Sequence, residues 1–172
     1  MIIGDKVQLI PLNEDCFELT FKWVNNPSLR TFIGTKFPVN KVEHEKWFLN
    51  KSQDTYNKTF GIQIKETKRI IGLVGNSNFE PLDRTTSIFI YLGDTKDRNN
   101  GYGKEALNLF TSFCFNSLNS RKIWAHIFDF NKASIRLFTN SGYFKEGLLK
   151  EHVFRDGIYN DVVVLGRINN NE

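Results

Sequence analysis

Apolar and polar residues alternate, or recur at helical spacing, in a series of short segments along this chain. Residues 7–10 read as an opening strand stopped by Pro11. Asn13 is a capping residue for a helix from Glu14 to about Val24, with Phe17, Phe21 and Val24 on one face and Asn25-Asn26-Pro27 ending it. Residues 28–40, with Gly34 and Pro38, read as a loop, and Asn40 with Glu43 makes a capping box for a helix carrying Trp47 and Phe48. Two helices joined by an aromatic-bearing loop can wall a substrate site, or simply cover a sheet. Residues 59–64 and 69–74 alternate about Glu66-Thr67-Lys68, which predicts an antiparallel hairpin. Residues 76–85, with Pro81 and Asp83, read as a loop into a strand over 86–92.

Beyond residue 100, Ala106, Leu109, Phe110, Phe113 and Cys114 keep helical spacing. Residues 122–128 alternate, with Ile123, Ala125 and Ile127 on one face and Trp124, His126 and Phe128 on the other. Asn131 caps a short helix that Gly142 ends. Two last strands, around 144–154 and 159–168, flank Arg155-Asp156-Gly157, and Asp-Gly between apolar runs is a strong hairpin signal. Residues 169–172 read as a frayed tail. The expectation is a mixed α/β chain forming a single domain over residues 1–172, with its core in 5–168.

Composition narrows the class. A chain of 172 residues, 40% hydrophobic and 14% aromatic, can bury one full core and is not disordered. The net charge of +4 comes without any basic run or stripe, so a nucleic-acid partner is not expected. Cys16 and Cys114 form no Cys-x-x-Cys pair, so neither a metal nor a disulfide framework is expected, and both read as small buried hydrophobes. The first residues lack a secretory pattern and no span of 18 apolar residues occurs, so a soluble, cytoplasmic protein without a membrane partner is expected.

The segment Arg98-Asn99-Asn100-Gly101-Tyr102-Gly103-Lys104 lies where the strand over 86–92 turns into a helix. Glycines there let the backbone approach a ligand, and the helix start offers unpartnered N–H groups and the positive end of its dipole. Arg98 and Lys104 add charge at either end. The segment therefore reads as an anion site suited to a pyrophosphate, or as a tight turn. It is too short for a Walker loop and lacks the third glycine of a dinucleotide fingerprint.

The order of elements resembles the GNAT family of N-acetyltransferases over essentially residues 5–168. Arg98-Asn-Asn-Gly101-Tyr-Gly103 is similar to the family's Gln/Arg-x-x-Gly-x-Gly/Ala loop. Asn131-Lys-Ala133-Ser134, ahead of Phe138 and Gly142-Tyr143, is similar to its Asn-x-x-Ala/Ser…Gly-Phe segment. Trp23-Val-Asn-Asn-Pro27 and Phe154-Arg-Asp-Gly-Ile-Tyr-Asn-Asp161 resemble the branch holding ribosomal-protein N-terminal acetyltransferases and spermidine acetyltransferases. The resemblance implies a largely antiparallel central sheet of six to seven strands, about four flanking helices, and a splayed strand pair that receives acetyl-CoA. It implies pyrophosphate binding on the loop from Arg98 to Lys104 and a pantetheine arm along Tyr91, Leu92 and Gly93. Asn131, Ser134 and Phe138 would line the pantetheine or thiol end, and an N–H near Leu92 would polarise the thioester carbonyl.

The implied reaction is acetyl transfer to a primary amine by direct attack in a ternary complex, with no metal. The acceptor is a small-molecule amine or a peptide N-terminus: a protein N-terminus, a polyamine, an amino sugar or an aminoglycoside. Many relatives carry a Tyr at the position of Phe138, as acid for the leaving thiolate, and a Glu at that of Ser87. Water, Ser134 or Tyr143 then has to supply the proton, and a catalytically weak acyl-CoA-binding or regulatory module of the same fold is the alternative reading. His126 is the first candidate base, because an imidazole near pKa 6.5 suits proton removal at neutral pH; a packed core histidine is the bland alternative. Glu80 is the second candidate, against a solvated carboxylate. His44 and His152 read as surface residues, and the acids Glu43, Glu45, Asp156 and Asp161 could attract a cationic amine or merely be solvated. The apolar run Val162-Val163-Val164-Leu165 suits either a homodimer interface or a buried central strand.

Overall fold

Residues 1–170 are described by a computed structural model. Of the expected frayed tail, Asn171 and Glu172 lie outside the described residues, while the Asn169 N–H donates to the Arg121 carbonyl at 2.8 Å. The chain forms strands β1 (Ile2–Ile3) and β2 (Val7–Pro11), helices α1 (Glu14–Asn25), α2 (Pro27–Arg30) and α3 (Lys41–Gln53), and strands β3 (Thr59–Ile64), β4 (Ile70–Glu80) and β5 (Thr85–Leu92). A 3-10 turn at Thr95–Asp97 leads to helix α4 (Tyr102–Asn116), strand β6 (Lys122–Phe128), helix α5 (Lys132–Thr139) and strands β7 (Phe144–Arg155) and β8 (Ile158–Ile168). All eight strands join one sheet in the order β1-β2-β3-β4-β5-β6-β8-β7. The two-residue β1 makes it one strand wider than expected, and among the described residues only β5–β6 is parallel.

Two local expectations shift. Residues 76–80 continue β4 instead of opening a loop, because Asn76, Ser77 and Glu80 pair with Ile88, Ser87 and Thr85. The loop after α1 contains the single turn α2, in which Pro27 takes the first helical position and the Asn26 side chain accepts the Ser28 N–H at 3.0 Å. The capping box of α3 forms as expected: Asn40 Oδ1 accepts from Glu43 N at 2.9 Å, and Glu43 Oε2 from Asn40 N at 3.1 Å.

The apolar run of β8 is buried because β8 lies between β6 and β7. Its hairpin turns at Asp156 and Gly157, both at positive φ (49° and 83°). On one sheet face Val7, Leu9, Ile62, Ile71, Ile88, Ile123 and Leu165 pack against Leu107 and Phe110 of α4 and Phe138 of α5. Burial of a Leu or Phe contributes about 1.5–3 kcal/mol, so α4 is fixed, and with it the glycine turn at its start. The opposite face holds Ile10, Ile70, Leu73, Phe89 and Tyr91 under α1, α2 and α3. The buried stripe of α1 is Cys16, Thr20 and Trp23, turned from the expected Phe17–Phe21–Val24 face. A Cβ on Gly93 would sit 2.0 Å from the Trp23 indole nitrogen, so the missing side chain is what lets Trp23 close on the sheet.

Candidate active site

Strands β5 and β6 pair only at Thr85–Lys122, Thr86–Ile123 and Ser87–Trp124, although both continue for several residues beyond. The Gly93 N–H donates to Ile71 O of β4 at 2.9 Å. By the two-residue alternation of a strand, the N–H groups of Leu92 and Ile90 therefore point away from β4, into the gap, while that of Ile88 is turned to Trp124 at the last paired row.

A cavity of about 730 Å³ occupies this gap and is lined by elements from both faces of the sheet. Its edges are Ile88 to Tyr91 of β5 and Ala125 to Phe128 of β6. One wall is α5, through Asn131, Ser134 and Phe138; the other is Thr20 of α1, the loop residues Ile33 to Thr35, and Glu43, His44, Trp47 and Lys51 of α3. The loop is held from the far end of the sheet, where the Arg155 guanidinium donates to the carbonyls of Ile33, Gly34 and Thr35, each at 3.0 Å. The same guanidinium lies 5.2 Å from the Phe128 ring centre.

The glycine turn follows β5. Gly101 has φ 83°, a left-handed conformation that favours glycine, and it is the cap before α4. Asn99 shares that region at φ 64°, and the Asn100 side chain ties the turn together by donating to the Lys96 and Arg98 carbonyls at 3.1 Å each. Arg69 grips Asp97 just before the turn through a two-pronged ion pair, 2.8 and 2.5 Å. Glu105 in the first turn of α4 accepts the Lys6 N–H at 2.9 Å, anchoring the helix start to the edge of β2. Lys104, Gly101 and Lys6 border a shallower depression of about 360 Å³.

The sequence candidates fall into two groups. Tyr91, His126, Asn131, Ser134 and Phe138 meet in the large cavity, while Arg98 to Lys104 form the turn beyond the end of β5. Asn131 Oδ1 accepts the Ser134 N–H at 3.2 Å, which fixes both at the start of α5. His126 is exposed at the cavity, its ring centre 4.6 Å from Trp124 and 6.4 Å from His152. Partial desolvation, then repulsion from His152, holds its pKa below the usual histidine value.

Three candidates are placed otherwise. Glu80 ends β4 rather than lying in a loop, is exposed outside the cavity lining, and accepts the Leu82 N–H at 3.2 Å. Gly93 gives its N–H to Ile71 and its α-carbon face to Trp23, so of the stretch from Tyr91 to Gly93 only Leu92 turns its N–H to the gap. Tyr143 is 2% exposed, bonded to Thr111 Oγ1 at 2.7 Å, and burial pushes its pKa up; it lies outside the cavity lining, which removes it as proton donor there. The adjacent Phe138 ring sits 4.9 Å from it, edge to face.

His44, expected on the surface, is 3% exposed. Its Nε2 lies 3.0 Å from the Phe17 carbonyl and 3.0 Å from Thr20 Oγ1, and a carbonyl accepts only, so Nε2 carries the proton. Burial lowers its pKa, and Trp47 stacks on it at 5.4 Å. Nothing in the polar surroundings of His44 in sequence signals this, since its partners come from another helix.

The family model described as Acetyltransferase (GNAT) domain matches residues 6–143. The chain belongs to the GNAT acetyltransferase family. It is an acetyl-CoA-dependent N-acetyltransferase, as its N-acetyltransferase relatives agree. A Bacillus subtilis relative, the uncharacterized N-acetyltransferase YoaA, is 29% identical over 157 residues, covering 89% of this chain and 88% of that protein. The spermidine N(1)-acetyltransferase of Vibrio cholerae is 26% identical over 120 residues, 70% of this chain and 68% of that one. The crystal structure of a Vibrio cholerae spermidine N-acetyltransferase in complex with CoA and spermine superposes with TM-score 0.87 at 22% identity, covering 96% of each chain, and shows a shared fold. Among the described residues no helix of this acetyltransferase is long and apolar enough to cross a membrane, and no cluster of three or more His, Cys, Asp or Glu could hold a metal ion.

Proposed function

We propose that residues 1–172 form one acetyltransferase domain that moves the acetyl group of acetyl-CoA onto a primary amine by direct attack in a ternary complex. The observation that carries this reading is the single cavity through the gap between β5 and β6, which joins the α5 wall to the wall built by α1 and α3. A donor held on one side and an acceptor on the other can meet there without an enzyme-bound intermediate. Relatives named as spermidine acetyltransferases support a small-molecule amine as acceptor.

The turn from Arg98 to Lys104 holds the pyrophosphate: Gly101 and Gly103 let the backbone close on it, α4 presents its first N–H groups, and Arg98 and Lys104 add charge. Tyr91 and Leu92 line the path of the pantetheine arm along the unpaired edge of β5, with Asn131, Ser134 and Phe138 opposite. The Leu92 N–H donates to the thioester oxygen as negative charge develops on it. His126, neutral at pH 7, takes the proton that an ammonium must lose before its nitrogen can attack. Ser134, the hydroxyl in the α5 wall, delivers a proton to the departing thiolate. Thiol release measured across a panel of amines tests the reading; turnover that needs both acetyl-CoA and an amine supports it, and release independent of any amine contradicts it.

A further inference from the structure

The acceptor side of the cavity carries an unusual charge pattern for a polyamine site. Among the described residues lining the cavity, Glu43 is the one carboxylate and Lys51 the one lysine or arginine. Glu43 is engaged at the helix cap, its Oε2 accepting the Asn40 N–H. Among the described residues no carboxylate lies within ion-pair distance of Lys51, whose Nζ donates to Ser77 Oγ at 3.4 Å. Asp54 feels the Lys51 charge, but only after the amides of Asn57 and Tyr56, at 2.8 and 3.0 Å, among the influences that lower its pKa. Glu43, Trp47 and Lys51 recur at i, i+4 and i+8 along α3, so one stripe offers a carboxylate, an indole face and an ammonium in turn.

Ser77 pairs with Ser87, and Ser87 with Trp124, so Lys51 stands over the row at which β5 and β6 begin to part. The edge N–H groups of Ile90 and Leu92 lie three to five residues further along β5, roughly 10–16 Å at strand rise. His126 is two residues along β6 from Trp124, roughly 7 Å. The amine therefore reacts within one small molecule's length of the Lys51 ammonium. The walls between are the aromatic residues Trp47, Phe89 and Phe128.

We infer that the acceptor is an amine that also carries an anionic group, a carboxylate or a phosphate, which pairs with Lys51, and that a polyamine is a poor acceptor. This rests on the transferase reading above. A second ammonium beside Lys51 would be repelled across a partly desolvated cavity, and the lining carboxylate, Glu43, lies two helical turns away along α3. An anion there forms a close ion pair with Lys51, and the apolar walls take the body of the molecule.

The test compares acceptors that differ in one group. For the carboxylate arm these are 6-aminohexanoate, its amide and 1,6-diaminohexane; for the phosphate arm, glucosamine 6-phosphate and glucosamine; spermidine is the polyamine control. The expected kcat/KM for thiol release is at least 10-fold higher for the anionic member of one arm than for its neutral or cationic counterpart. Lys51→Met brings that ratio close to one, and Lys51→Arg keeps most of it. Turnover with equal ratios, with spermidine or diaminohexane ahead, or with Lys51→Met acting alike on every acceptor overturns the inference and leaves the transferase reading standing. Thiol release with no amine in either arm overturns both.

Discussion

Ser87 of β5 and Trp124 of β6 form the last paired residues of the one parallel contact in the sheet. Past them β5 faces a cavity instead of a strand, with Phe89, Ile90 and Tyr91 in its lining. Everything proposed for the donor depends on that gap staying open and on the turn at its end accepting an anion.

A methyl group built on Gly103 would lie 3.8 Å from Leu137 Cδ2 and 3.9 Å from Leu92 Cδ1, ordinary contact distances. An indole is far larger and would crowd the turn beside these two side chains. Gly103→Ala is expected to keep acetyl-CoA affinity within a few-fold. Gly103→Trp is expected to weaken it by about 100-fold or more, roughly 2.7 kcal/mol, with an unchanged circular dichroism spectrum. Calorimetric titration reads both.

Phe138 stands in the α5 wall where a hydroxyl acid would be useful, and Ser134 is one turn away on the same wall. Ser134→Ala should lower kcat by a factor on the order of 10² if the hydroxyl protonates the thiolate. Phe138→Tyr should raise kcat in the wild-type background and restore part of the loss in Ser134→Ala, with acetyl-CoA affinity constant. An unresponsive kcat in all three variants would show that water supplies the proton.

His126 acts as a base only when neutral, which is the state above its pKa. Desolvation and His152 lower that pKa, so the acid limb of kcat should fall below pH 6.5, not at or above it. His126→Gln should remove this limb and reduce kcat by about 10²-fold or more. A pH profile of the same shape in both proteins would assign the limb to another group.

Arg155 bonds three consecutive carbonyls of the acceptor-side loop from more than a hundred residues away in sequence. Arg155→Ala frees residues 33–35 and should raise the acceptor KM by about 10-fold, some 1.4 kcal/mol, with acetyl-CoA affinity unaltered. A change confined to kcat would place its role elsewhere.

Signals that act within a few residues were legible in the sequence. The Asn40–Glu43 capping box, the Asp156-Gly157 hairpin and the glycine turn before α4 each formed where their spacing predicts. Features set by distant partners were not. Asn76 to Glu80 look like a loop until β5 supplies ladder partners, and Pro81 marks only where that ladder stops. Gly93 looks like part of a ligand path, but the Trp23 indole explains it. His44 sits among Glu43, Glu45 and Lys46, a polar context that hides its burial against Phe17 and Thr20. Tyr143 carries a hydroxyl suited to acid catalysis, yet its place beneath α4, bonded to Thr111, is a matter of packing.

In the proposed reading, the turn from Arg98 to Lys104 and the open edge of β5 bind acetyl-CoA. Thermal unfolding of the purified protein, alone, with acetyl-CoA and with CoA, tests it most directly. A ligand that binds only the folded state stabilises it by about 2.7 kcal/mol at one hundred times its dissociation constant. The expected result is an upward shift of the unfolding midpoint that grows with the concentration of either ligand and disappears in Gly103→Trp. An unchanged midpoint at saturating acetyl-CoA would contradict it and leave the glycine turn a purely structural feature.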